Sequence, residues 1–177
     1  EVKKYIYKFH NNPTVVITPK YDGCSFEVVY SNGTIVKAST RGDGYLGKDI
    51  TLLIQHLFTK LGIKWAKPNN YTIRGELLID KFLFAEKYSD TFKNPRSFVS
   101  GLVNADWDES LLDKVYDLTP VIYETSYLDK YSNTWVEEDW QNFNTVCNYL
   151  PKFWKVLNLS SKEDLKAIYN EFLYYRD

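Results

Sequence analysis

From residue 24 to residue 30 apolar and polar positions alternate, with Cys24, Phe26, Val28 and Tyr30 on one side. A period of two marks a strand buried on one face. Asn32-Gly33 follows, a pair suited to the positive φ angles of a two-residue hairpin turn, and residues 34–40 form the returning strand. Counting outward from that turn, Ser31 pairs with Thr34 and Cys24 faces Arg41. Residues 14–20 also alternate, with Val15 and Ile17 on one face and Pro19 roughening the end, and predict an earlier strand. The period then lengthens. Leu53, Ile54, Leu57, Phe58 and Leu61 form one helical stripe, with Asp49 or Thr51 as its cap and Gly62 as its stop.

Residues 71–79 read as a strand. Asp80 caps a short helix reaching about Tyr88, and Asn94-Pro95 opens another with proline in the first turn. Residues 118–127 are the next strand. Residues 137–150 predict an amphipathic helix carrying Trp140, Phe143, Val146, Cys147 and Leu150. Ser160 and Glu163 offer a capping box for a last helix with Leu165, Ile168, Tyr169 and Phe172. The fold class is therefore α+β, antiparallel strands with helices outside. The chain stops inside that helix with neither glycine nor cap, which raises the expectation of a truncated fold or one completed by another polypeptide.

The 177 residues suit one domain. With 44% hydrophobic and 25% charged residues the composition is that of a globular protein, not a disordered one. No apolar run approaches the roughly 20 residues of a membrane-spanning helix, and no signal-peptide pattern is visible, so the expectation is a cytoplasmic protein without a membrane partner. Cys24 and Cys147 fit no metal-ligand spacing and read as reduced thiols, and His10 and His56 form no ligand pattern. Net charge is −1, yet its distribution is uneven. Residues 1–104 carry 15 basic and 9 acidic side chains, and residues 105–177 carry 7 and 14. The basic front part suits a polyanionic ligand.

Four short segments carry candidate chemistry: Lys20-Tyr21-Asp22-Gly23, Thr40-Arg41-Gly42-Asp43-Gly44, Arg74-Gly75-Glu76 and Asn94-Pro95-Arg96. Hairpin pairing brings the first two to one end of a ladder, an amine and a guanidinium beside a tight turn, which suits an anion. An amine attacks phosphorus only when unprotonated. A neighbouring cation and partial burial of Lys20 would favour that form. Glycines let a backbone approach phosphate closely. Glu76 suits ribose hydroxyls, and an aromatic such as Tyr123 suits a base. Each segment alone has a plainer reading. Lys-x-Asp-Gly is commonly a solvated turn, Arg41-Gly42-Asp43 spells an integrin-binding tripeptide, Arg74-Gly75-Glu76 fits an edge-strand salt bridge, and Cys24 fits a buried small residue better than a nucleophile.

Taken together, the order and spacing of these segments resemble the adenylation domain of NAD-dependent DNA ligases. The match runs through Lys20-Tyr21-Asp22-Gly23, Ser39-Thr40-Arg41-Gly42-Asp43-Gly44, Gly47-Lys48-Asp49-Ile50-Thr51, Ile73-Arg74-Gly75-Glu76-Leu77, Phe92-Lys93-Asn94-Pro95-Arg96 and Thr119-Pro120-Val121-Ile122-Tyr123. The resemblance implies an ATP-grasp-like nucleotidyltransferase core, partial over residues 1–177. Lys20 would attack the α-phosphate of NAD to give AMP-lysine, and AMP would pass to the 5′-phosphate of nicked double-stranded DNA, with Mg2+ neutralising phosphate charge. Arg41 and Glu76 would hold phosphate and ribose, Tyr123 would stack on adenine, Asp22 and Gly23 would shape the turn, and Arg96 would contact nucleotide or DNA.

The chain also departs from the family pattern. Thr18 stands where a glutamate usually contacts adenine, Lys48 replaces an acidic residue, and Val103 replaces a second arginine. About a dozen residues precede the first strand, so the module that binds the nicotinamide half is not expected. The Asp-Gly-Val-Val-Lys motif, the later lysine motif and the oligonucleotide-binding, zinc-finger and helix-hairpin-helix modules are not in the 177 residues. These departures imply a truncated domain or one piece of a split ligase of phage or large-virus type, working with a second polypeptide in the cytoplasm, that of the host included. An ATP-dependent DNA or RNA ligase fragment, and a non-catalytic remnant that binds nucleotide or a partner, are the alternatives.

Overall fold

The computed structural model describes residues 14–41, 47–63, 70–129, 135–137, 155–158 and 166–171. The chain forms two compact units, one of residues 1–20 with 151–177 and one of residues 21–150.

In the first unit, β1 (Thr14–Ile17) and β7 (Lys155–Asn158) form an antiparallel pair, with Thr14 opposite Asn158 and Ile17 opposite Lys155. The strand predicted over residues 14–20 ends at Ile17, and β7 carried no clear alternation. Residues 166–171 are helical, as expected, with Ile168 buried. Tyr169, placed on the same apolar stripe by the periodicity, is exposed instead.

The second unit is built on an antiparallel sheet. Among the described residues its order is β3 (Thr34–Thr40), β2 (Cys24–Ser31), β4 (Tyr71–Ile79), β5 (Leu118–Leu128) and the short β6 (Trp135–Glu137). Glu137, expected to begin a helix, ends β6, and residues 138–150 lie outside the described residues. Asn32 (φ 50°) and Gly33 (φ 79°) make the hairpin turn that their side chains predict. Between β3 and β4 lies α1 (Thr51–Lys60), and Gly62 at φ 66° terminates it. Asp80 accepts from the N–H groups of Phe82 and Leu83 at the start of α2 (Lys81–Lys87). Asn94 accepts from Ser97 at the start of α3 (Pro95–Asn104). A 3₁₀ turn (Glu109–Leu111) and α4 (Leu112–Tyr116) follow, unannounced by any long apolar stripe.

One face of the sheet is the core. Phe26, Val28 and Tyr30 of β2, Ile73, Leu77 and Ile79 of β4, and Leu118 and Ile122 of β5 are buried there. They join one cluster with Leu53, Ile54, Leu57 and Phe58 of α1 and Phe98, Val99, Leu102 and Val103 of α3. Val103 therefore fills core volume where the family pattern has a second arginine. Lys48 has a local task as well: its amine donates to the carbonyls of Asn104 and Ala105 at 2.6 and 2.7 Å and closes the C-terminus of α3.

Two β-bulges set the opposite face. On β3 the pairing changes from Tyr30–Ile35 to Val29–Lys37, leaving Val36 as the extra residue. On β5 it changes from Gly75–Ile122 to Arg74–Glu124, leaving Tyr123 as the extra residue. A slip of one residue exchanges the faces of a strand. Beyond Val36, Ala38 is buried opposite Val28, so Lys37 and Ser39 lie on the outer face. On β5 the buried positions move from Ile122 to Thr125, so Tyr123 and Glu124 both look outward.

Candidate functional site

The first bulge corrects the pairing counted from the turn. Arg41 lies opposite Ser25, not Cys24, and its N–H donates to the Ser25 carbonyl at 3.3 Å. Cys24 shares its face with the core. Ser25 and Arg41 share the outer face, where a cleft of about 700 Å³ opens. Its lining includes Ser25 and Glu27 of β2, Lys37 and Ser39 of β3, Arg41, Arg74 of β4, and Tyr123 and Glu124 of β5.

The cleft is electrostatically divided. Arg74 donates from Nε to Glu27 at 2.6 Å and from Nη1 to Glu124 at 2.8 Å. Those bonds hold its guanidinium above its ordinary pKa and engage both carboxylates, one positive charge against two negative. Arg74 thus lies on an interior strand bonded on both sides, not on the edge strand that its tripeptide alone suggested. Arg41 and Lys37 have no carboxylate within ion-pair distance among the described residues. The charged side chains of the lining, Lys37, Arg41 and Arg74 against Glu27 and Glu124, leave one net positive charge, and the cations without a described carboxylate partner are Lys37 on β3 and Arg41 just after it.

Glu76 sits one step from that floor. Its carboxylate accepts the Gly23 N–H at 3.1 Å and the Ser25 hydroxyl at 2.8 Å, tying β4 to the turn at the start of β2. A Cβ on Gly23 would lie 2.0 Å from the Leu77 carbonyl oxygen. This glycine therefore serves close packing of backbone on backbone. Burial first, then the charges of Glu76 and Glu124, pushes the Tyr123 phenol up, so it remains a neutral hydroxyl with its ring available to the cleft. The Ser25 hydroxyl opposes that rise without offsetting it.

Asp22 and Arg96 meet each other at 2.8 Å, both exposed, and link the turn after Lys20 to the first turn of α3. Cys24, half-buried, has its thiol pushed up by burial and by Glu76, with Arg96 opposing. It stays protonated, in keeping with a packed residue and not a nucleophile. Thr18 and Lys20 belong to the first unit, where Thr18 is half-buried. Lys20 is exposed, so the partial burial expected of it is not found, and it immediately precedes Tyr21, which begins the second unit. Residues 42–46, which complete the segment after Arg41, lie outside the described residues. Ser25, Glu27, Lys37 and Glu124 were not singled out from sequence. Ser25 and Glu27 alternate with the core residues of β2, the one signal that could have found them.

A sheet packed on helices on one side, with a cationic, tyrosine-walled cleft on the other, suits a protein that handles an anionic aromatic ligand. The model of the NAD-dependent DNA ligase adenylation domain matches residues 2–177, and the chain belongs to that family. It is 34% identical over 158 residues to a protein named "Putative DNA ligase 205R" from Invertebrate iridescent virus 6, covering 89% of this chain and 23% of that relative. It is 43% identical over 97 residues to the DNA ligase of Thermodesulfovibrio yellowstonii and 34% identical over 99 residues to that of Nautilia profundicola. Those matches cover 49% and 52% of this chain and 14% and 15% of the relatives. The chain thus spans less than a quarter of the length of these relatives. Among the described residues no helix is long and apolar enough to cross a membrane.

Proposed function

We propose that the chain carries out the adenylylation step of an NAD-dependent DNA ligase. The observation that carries this reading is that Ser25, Arg41 and Tyr123 line one cleft, with Glu76 bonded to Ser25 beside it. A volume of about 700 Å³ is of the size that holds a nucleotide. The Tyr123 ring offers a stacking face for adenine, and the Arg41 guanidinium, without a carboxylate partner among the described residues, offers two parallel donors to a phosphate. The Lys20 nitrogen, once unprotonated, attacks the α-phosphorus of NAD. A phosphorus–nitrogen bond forms, the bond to the bridging oxygen of the pyrophosphate breaks, and nicotinamide mononucleotide leaves with the electron pair. Protonation of the phosphoramidate nitrogen then makes lysine the leaving group when the 5′-phosphate of nicked DNA accepts AMP.

The described residues of the cleft do not make a site for a resident magnesium ion. Among the described residues no cluster of three or more His, Cys, Asp or Glu side chains could hold a metal. The nearby carboxylates are also committed: Glu27 and Glu124 to Arg74, and Glu76 to Gly23 and Ser25. Magnesium on this reading arrives with the nucleotide's phosphates. Sealing of the nick needs the remaining ligase motifs, supplied by the same polypeptide or by a second one.

The test is transfer of labelled adenylate from NAD and, separately, from ATP, with and without a polypeptide bearing those motifs. Labelling from NAD with release of nicotinamide mononucleotide supports the reading. Labelling from ATP alone replaces it with an ATP-dependent ligase. Nucleotide binding without covalent label in either mixture replaces it with a binding protein.

A further inference from the structure

The ion-paired arginine on β4 has no part in the step just described, yet it lies directly across the ladder from the bulge that presents Tyr123. Pairing runs from Arg74–Glu124 to Gly75–Ile122, so Tyr123 and Glu124 together oppose Arg74. Such an extra residue has no ladder partner to hold its orientation. Arg74 holds the neighbouring residue instead, through the 2.8 Å bond to Glu124, and is itself braced by Glu27 from β2 at 2.6 Å. Three adjacent strands are thereby joined by two charge-assisted bonds from one planar fork, a geometry that a lysine cannot reproduce. On the reverse side Gly75 admits the Phe26 ring, so the backbone beside the bulge is seated from below as well.

We propose that Arg74 is a positioning residue: clamped between Glu27 and Glu124, it fixes the bulge in β5 and so sets the Tyr123 ring in the orientation that receives an adenine base. This rests on the functional reading above, in that the ligand of the cleft is an adenine nucleotide. Arg74 acts through Tyr123 and not on the nucleotide's phosphate, because both of its ion-pair partners are carboxylates of the protein. Among the described residues, the cleft guanidinium without a carboxylate partner is that of Arg41.

The experiment is a double-mutant cycle on the full chain, with AMP as the probe and affinity measured by calorimetry. Tyr123→Ala should weaken AMP binding by about tenfold, the scale of a lost base–aromatic stack. Arg74→Met should weaken it by a similar factor in the wild-type background and by nothing further in the Tyr123→Ala background. Glu124→Gln is the second variant. It loosens the same clamp while keeping the residue's size, and the same pattern is expected where Arg74→Met does not fold. Equal losses in both backgrounds would overturn the proposal, since Arg74 would then act directly or through general stability. Unchanged AMP affinity in Arg74→Met and Glu124→Gln would overturn it too. A wild-type chain that does not bind AMP overturns the functional reading first, and this inference with it.

Discussion

The Glu76 carboxylate accepts the Gly23 N–H at 3.1 Å and thereby fastens the turn that follows Lys20 to an interior strand 53 residues away. Its second oxygen takes the Ser25 hydroxyl. Removing the side chain leaves both donors without this partner. Glu76→Ala should cost about 2 kcal/mol in urea unfolding. Glu76→Gln retains an acceptor for Gly23 and should stay within about 1 kcal/mol of wild type. Comparing the two by denaturant midpoint shows whether the anchor is the hydrogen bond or the charge.

Gly75 is required by what lies on the core side of β4. A Cβ there would lie 2.4 Å from the Val121 carbonyl oxygen and 2.6 Å from the Phe26 ring. Phe26 is 2% exposed and packs edge-on against Phe58, so it has no room to yield. Gly75→Ala should destabilise the second unit by about 3 kcal/mol, the upper range for overpacking. Replacing Phe26 by Leu in the same chain should recover part of that loss, which a thermal melt of single and double variants reads directly.

Tyr88 gives the fold an alkaline limit. Its hydroxyl donates to Asp117 at 2.7 Å while its ring stacks on Phe98. Burial first, then the bond to Asp117, pushes its pKa from 10.0 up to about 12. A raised folded value means that this stabilisation is complete below about pH 10 and is lost as the pH climbs through about 12. Tyr88→Phe keeps the ring, should lose about 1.5 kcal/mol at neutral pH, and should flatten that part of the stability–pH curve. A wild-type curve with no decline over that interval would contradict the assignment.

Arg41 is assigned to phosphate and Tyr123 to base, and the two roles are separable. Arg41→Ala should weaken AMP by about tenfold, in line with loss of a charge-assisted contact, and leave adenosine affinity unchanged. Calorimetry with both ligands checks this, and a loss shared equally by adenosine would contradict the phosphate role.

Much of this architecture was legible from local pattern. The alternation of Cys24, Phe26, Val28 and Tyr30, the Asn32-Gly33 turn, the caps at Asp80 and Asn94 and the stop at Gly62 each state their structure within a few residues. The composition of the cleft was not legible, because it depends on two single-residue insertions, at Val36 and Tyr123. Neither residue type marks a bulge, and register is decided by which side chains the core accepts: Ala38 opposite Val28, and Thr125 opposite Ile73. Counting from the turn therefore sets Arg41 opposite Cys24, one residue away from its true partner Ser25. Glu27 and Glu124 carry no local signal, because they become a clamp only when Arg74 stands between their strands. Glu76 stands in the Arg74-Gly75-Glu76 segment that the sequence singles out, but its hold on Gly23 spans a distance no local motif encodes.

The central claim is that Lys20 takes AMP onto its own nitrogen. Mass spectrometry of the peptide containing Lys20, after incubation with NAD and the remaining ligase motifs, tests it most directly. The account predicts an acid-labile adenylate on Lys20 and no labelling in Lys20→Ala. An adenylate on any other residue, or labelling undiminished in Lys20→Ala, would contradict it.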